Sequence, residues 1–376
     1  MSSDLKQIDD PCLSKYTKEN SQKERSKQPT KNTITKAIQL IFYHEKERKE
    51  RKFLIFVEGE KDDLIFYSPV FNLELCVVIP FGGIDHVKYL FKKRPHVGRE
   101  ITEQLKEVLA TDEGKIAFNK LFTMRDQNKV IGIVDLDFEN EKNINNRYSP
   151  NYYCNLFVTE TNDTQTLLLT HNGLLIFIHK LCEKKEIEKF RERRNLQPLY
   201  HLIILMTNYS GLARHIDHKL KNKGISDYQA LSFTSLKPQN VFDEFINNEK
   251  LLTPDNIRYL LFEKDNGNRS SIYFDREYKN ALSNLDKDFR NKWEICQGHD
   301  MMRVLLSIHQ LVGCNGDYKC EENILEAISN IFHERKYFRQ SPLYSALKKW
   351  ESEDFPFPEQ EMFSEIYSSI NKKVES

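Results

Sequence analysis

The chain has 376 residues, of which 39% are hydrophobic, 30% charged and 11% aromatic, a balance that excludes a disordered or fibrous polypeptide and suits two or three folding units. Lysine plus arginine and aspartate plus glutamate number 56 each, so no global field draws the protein to a polyanion, and a nucleic-acid surface would have to be a local patch. Seven scattered cysteines without a CxxC pair argue against a disulfide or zinc framework, and neither a signal-peptide core nor an apolar run near ~20 residues is present, so a cytoplasmic protein without a membrane segment is expected.

Residues 1–33 are polar, rich in Lys, Ser, Asn and Gln, and read as a flexible tail. "TITKAIQLIFYHEKERKERK" predicts a helix whose second half is a solvated, mixed-charge face. From Phe53 short apolar runs alternate with helical segments. "FLIFV", "LELCVVIPF", "KVIGIVDLDF" and "NLFVTE" read as strands. "DDLIFYSPVF", "GGIDHVKYLFKK", the stretch 99–126 and "DTQTLLLTHNGLLIFIHKL" read as helices. Such alternation predicts an α/β fold with a mostly parallel sheet flanked by helices. Beyond about residue 180 the strand signal fades, with short strands open near "DYQALSFTSL". "GHDMMRVLLSIHQLV" and "SPLYSALKKW" carry helical periodicity, and a last helix is expected in the closing residues after a Pro-interrupted acidic start. The expected division is a tail (1–33), a catalytic α/β domain (34–180) and a mainly helical region (181–376).

Two acidic motifs end strands of this one sheet. "VEGEKDD" places Glu58 at a strand end, and Gly59 allows the backbone to turn there. Asp62 follows four residues later on a new helix, whereas Glu60 and Asp63 are expected to face solvent. "VDLDFE" places Asp135 and Asp137 on one side of the strand's end. In open α/β sheets ligands bind beyond the carboxyl ends of the strands. Clustered carboxylates repel unless protons or a metal neutralise them, and hard oxygen donors suit Mg²⁺ or Mn²⁺. A lone Asp-x-Asp is more often a turn or helix cap; the coincidence of two motifs in one sheet favours a metal site.

"FLIFVEGEKD" followed by "VIGIVDLDFE" resembles the Toprim domain of topoisomerases, primases and overcoming-lysogenization-defect nucleases. More narrowly, "FVEGEKDDLIFY", "VIPFGGIDHV", "GIVDLDFE", "LFVTETNDTQTLLL" and "ICQGHDMMRVL", in this order, resemble a Toprim-like bacterial family that includes nuclease effectors of anti-phage defence. The resemblance spans about residues 50–350. It implies that Glu58 is a general acid/base or metal ligand, that Asp135 and Asp137 coordinate Mg²⁺ (or Mn²⁺), and that Asp62 is a supporting acid. The fourth strand departs from the family's pattern, with Glu160 for an Asp, Asn162 for a His and Gln165 for a Glu, while Asp163 is kept. Gln cannot serve as an anionic ligand.

The resemblance therefore implies a Mg²⁺-dependent nuclease cleaving DNA or RNA, tRNA included, as a defence effector. An ATPase of the ABC or structural-maintenance type would be its partner, and a homo-oligomer is open. The chain contains no GxxxxGK[ST] loop, so an ATP-driven step would belong to that partner. The alternatives are a noncatalytic Toprim-fold scaffold, favoured by Asn162 and Gln165, and nucleotidyl transfer, disfavoured by the lack of an accompanying zinc or nucleotide module. Candidate phosphate-backbone patches are 184–194 and 213–223, with Phe190 and Tyr200 available for stacking, although Lys/Glu mixtures are also ordinary helix surfaces. His299 and Asp300, after Gly298, are either a packed His with a helix cap or groups supporting the site.

Overall fold

The computed structural model describes residues 53–59, 61–92, 103–136, 153–159, 163–169, 298–311, 320–357 and 359–367, with shorter pieces at 176–178, 203, 206–216, 240–241, 276–277 and 279–280. The expected tail, the helix after it and the stretch near "DYQALSFTSL" lie outside the described residues.

Four parallel strands form one sheet in the order β2-β1-β3-β4: β1 (Phe53–Val57), β2 (Cys76–Pro80), β3 (Val130–Val134) and β4 (Leu156–Val158). β1 and β3 are buried along their whole length, which explains why they read as continuous apolar runs rather than as alternating ones. Their period of two still sorts the side chains. Phe53, Ile55, Val57, Ile131 and Ile133 join one apolar cluster, whereas Leu54, Phe56, Val130 and Val134 join a second on the other face.

The second cluster is covered by α2 (Ile84–Phe91), α3 (Glu103–Leu109) and α4 (Asp112–Asp126). The predicted helical stretch 99–126 thus contains two helices. Thr111 separates them and caps α4, its hydroxyl accepting the Gly114 N–H at 3.1 Å. Phe118 of α4 packs on Phe81 and Tyr89, so this stretch is a structural layer of the fold. Before α2, Gly82 and Gly83 have φ of 79° and 114°, values that disfavour side chains, and the Gly83 N–H donates to the Glu58 carbonyl at 3.1 Å. That turn anchors the end of β1.

The first cluster is covered by α1 (Asp62–Tyr67), α5 (Thr164–Leu169), α6 (Gly298–Leu311), α7 (Glu321–Glu334) and α8 (Pro342–Asp354). α1 stops earlier than "DDLIFYSPVF" suggests, as Pro69 cannot continue it. α8 starts at Ser341-Pro342, with the Ser341 hydroxyl accepting the Tyr344 N–H at 3.0 Å and Pro in its first turn. Trp350 of α8 packs on Phe53 of β1 and Phe157 of β4. The helices beyond residue 298 therefore share one core with the sheet.

Residues 355–357 and 359–367 run as an irregular strap, and the rest of the closing stretch expected to hold a last helix lies outside the described residues. Phe355, Phe357, Met362, Phe363 and Tyr367 are buried in it, and the Asn72 N–H donates to the Met362 carbonyl at 2.9 Å. Apolar residues on either side of Pro356 fill the core without helical backbone in the described part of the strap. Among the described residues no helix is long and apolar enough to cross a membrane.

Candidate functional site

Glu58 follows β1 and Asp135 follows β3, and these strands are neighbours in parallel register, with Phe56 opposite Gly132. The two acids consequently emerge side by side at the carboxyl edge of the sheet. The Asp135 N–H donates to Glu58 Oε1 at 2.7 Å, a charge-assisted contact that turns the Glu58 carboxylate toward β3. The next peptide is held from the other neighbour, where the Leu136 N–H donates to Thr159 Oγ1 at 3.2 Å. The Asp135 side chain has the same parity as Ile131 and Ile133 and so turns toward α5. There the Thr164 hydroxyl donates to its Oδ1 at 3.1 Å.

Asp63 corrects the expectation of a solvated charge. It is 5% exposed, and its Oδ2 accepts the Gly59 N–H at 2.7 Å, closing the turn that follows Glu58. Burial pushes its carboxyl up to about 6, against the opposing hydrogen bonds of Gly59 and Thr164. Glu60 lies outside the described residues.

Behind this pair a polar seam joins the helix starts. Gln165 Nε2 donates to Asp62 Oδ2 at 2.5 Å, so the residue that replaces an expected acid serves as a neutral donor to one. Asp163 caps α5, its Oδ1 accepting the Thr166 N–H at 2.8 Å, while its Oδ2 accepts the Gly298 N–H at 2.7 Å and ties α5 to α6. Burial raises the Asp163 carboxyl despite these donors. Gly298 permits this approach: a Cβ there would lie 2.2 Å from the Gln165 Cβ and 2.5 Å from Asp163 Oδ1.

His299 is half exposed at the start of α6, its Nε2 3.9 Å from Asp62 Oδ2 and its Nδ1 3.9 Å from Glu321 Oε2. Partial burial pulls its imidazolium down, but the neighbouring carboxylates of Glu321, Asp62 and Asp163 outweigh it and hold it above its ordinary value. Arg303 steadies Glu321, Nε to Oε1 at 3.0 Å. Asp300, in contrast, is committed elsewhere. Both of its oxygens accept from Arg214 at 2.6 Å in a buried fork, so it acts as a structural anchor for α6 rather than as a cap or a site group.

The structure thus brings Glu58, Asp135, Asp62, Asp163 and His299 to one edge. Asp137, Glu160 and Asn162 lie outside the described residues, as do 184–194, Phe190, Tyr200 and most of 213–223. Thr159, Thr164, Asp63, Glu321 and Arg214 carry contacts that the sequence reading did not anticipate. A short hydroxyl or acid within one turn of a motif is the only local signal for the first three, and long-range packing alone reveals the others.

Among the described residues no group of three or more His, Cys, Asp or Glu side chains is arranged to hold a metal ion. The donor chemistry of Glu58 and Asp135, two carboxylates with neither thiolate nor imidazole beside them in these contacts, fits a hard cation that retains other oxygen ligands. Against known proteins, no family model matches the chain, and no curated protein matches it.

Proposed function

We propose that this chain is a Mg²⁺- or Mn²⁺-dependent phosphodiesterase of Toprim-like type, acting on nucleic acid as an effector of bacterial anti-phage defence. The observation that carries the reading is the joining of Glu58 to the Asp135 N–H at the carboxyl ends of adjacent parallel strands. Glu58, Asp135 and Asp137 would hold the cation, which supplies Lewis-acid polarisation of a phosphodiester when bound. Asp62, held by Gln165 beside His299, would orient polar groups at the rim of the same edge. Glu58 is the candidate for handling a proton at the reacting centre. The defence role and an ATPase partner of the ABC or structural-maintenance type rest on the resemblance of the motifs.

A second reading, a noncatalytic scaffold that keeps the fold, draws support from one observation: Gln165 consumes an oxygen of Asp62 as a neutral donor. Sequencing nucleic acids from phage-challenged cells that express wild type or Glu58→Ala, with an ATPase gene co-expressed where one adjoins, separates the two. Cleavage products present with wild type and lost with Glu58→Ala are expected. Identical nucleic acids from both strains would favour the scaffold.

A further inference from the structure

We infer that Thr164 is a positioning residue of the strand-end carboxylate Asp135, its hydroxyl setting that side chain in the orientation in which it binds a cation. The inference rests on the metal-dependent reading above and adds residues to it.

The backbone at 135–136 is pinned from both neighbouring strand ends, by Glu58 accepting from the Asp135 N–H and by Thr159 accepting from the Leu136 N–H. What this leaves to be fixed is the rotation of the Asp135 side chain. The Thr164 hydroxyl fixes it by donating to Oδ1 at 3.1 Å. Thr164 itself is 1% exposed and lies next to Asp163, whose bonds to Thr166 and Gly298 hold the start of α5 against α6. The donor is therefore mounted on a rigid support.

The turn after Glu58 is closed separately, by the buried Asp63 accepting the Gly59 N–H. Groups that hold a metal's ligands in place, without touching the metal, typically change affinity or activity about 10- to 100-fold when removed. A threonine present only for packing would be replaced by isosteric valine with no such effect.

The test is Mn²⁺ binding to the full chain, followed by the electron paramagnetic resonance of free Mn²⁺, with thermal unfolding of the metal-free proteins alongside. Wild type is expected to bind. Thr164→Val is expected to unfold near the wild-type temperature yet bind about 10-fold or more weakly, and Thr164→Ser to restore the affinity. Thr164→Ala repeats the deletion if the valine variant does not fold. Equal affinity in wild type and a folded hydroxyl-deleted variant overturns the inference alone. A wild type that binds no Mn²⁺ overturns the metal-site reading and the inference with it.

Discussion

Asp63 sits one position beyond Asp62 on a six-residue helix, yet the two meet different surroundings. Asp63 is buried under the turn it closes, while Asp62 reaches the seam with Gln165. Its folded pKa of about 6 exceeds the ordinary 3.8, so its contribution to stability is fully present below pH 3.8 and is lost as pH rises through about 6. Asp63→Asn should therefore gain stability relative to wild type as pH increases over that window, with the difference levelling above it. Denaturant unfolding of both proteins from pH 4 to pH 7 measures this, and a pH-independent difference would contradict it. The sequence showed that acids crowd this stretch but not which of them is buried. Helical phase in so short a helix is settled by the turn before it, and that turn depends on the Gly59 N–H finding Asp63.

At the scale of elements, the strands were legible because each is a compact apolar run bounded by turn residues, and β1 and β3 announced their ends with acids. α7 was not legible as the partner of that edge. Its Glu321 and Glu322 look like ordinary helix-start charges, and only packing brings Glu321 to His299 and Arg303. A close junction lies between α5 and α6 at Gly298. Gly298→Ala would force a Cβ into Gln165 and Asp163, and overpacking of this kind costs about 1–3 kcal/mol. Chemical denaturation should show that loss, and the proposed metal binding should weaken with it as α5 shifts beneath Asp135. A variant as stable as wild type would mean that α6 sits farther from α5 than the structure has it.

For the whole molecule, the periodicity of the sequence indicated helices after the sheet but not their location, since a helix's apolar face does not name its partner. Phe53 and Ile55 of β1 lie in the same cluster as Met301, Phe332, Leu347 and Tyr367. A shared core should unfold as one cooperative unit. Near-ultraviolet and far-ultraviolet circular dichroism are expected to report coincident transitions; two separated transitions would indicate independent units. The buried fork between Arg214 and Asp300 adds a further link, from the segment 206–216 to the start of α6. The sheet edge with its acids is thus supported by helices drawn from both ends of the chain, and the proposed chemistry depends on that support. The most direct measurement is cleavage of tRNA, other RNA and DNA by the purified full chain, with Mg²⁺ or with EDTA, for wild type and the Glu58→Gln, Asp135→Asn double variant. Cleavage by wild type that requires the metal and is lost in the folded double variant is predicted. Cleavage that persists in the double variant, or a wild type that cleaves none of these substrates with Mg²⁺, would contradict the assignment of these two carboxylates.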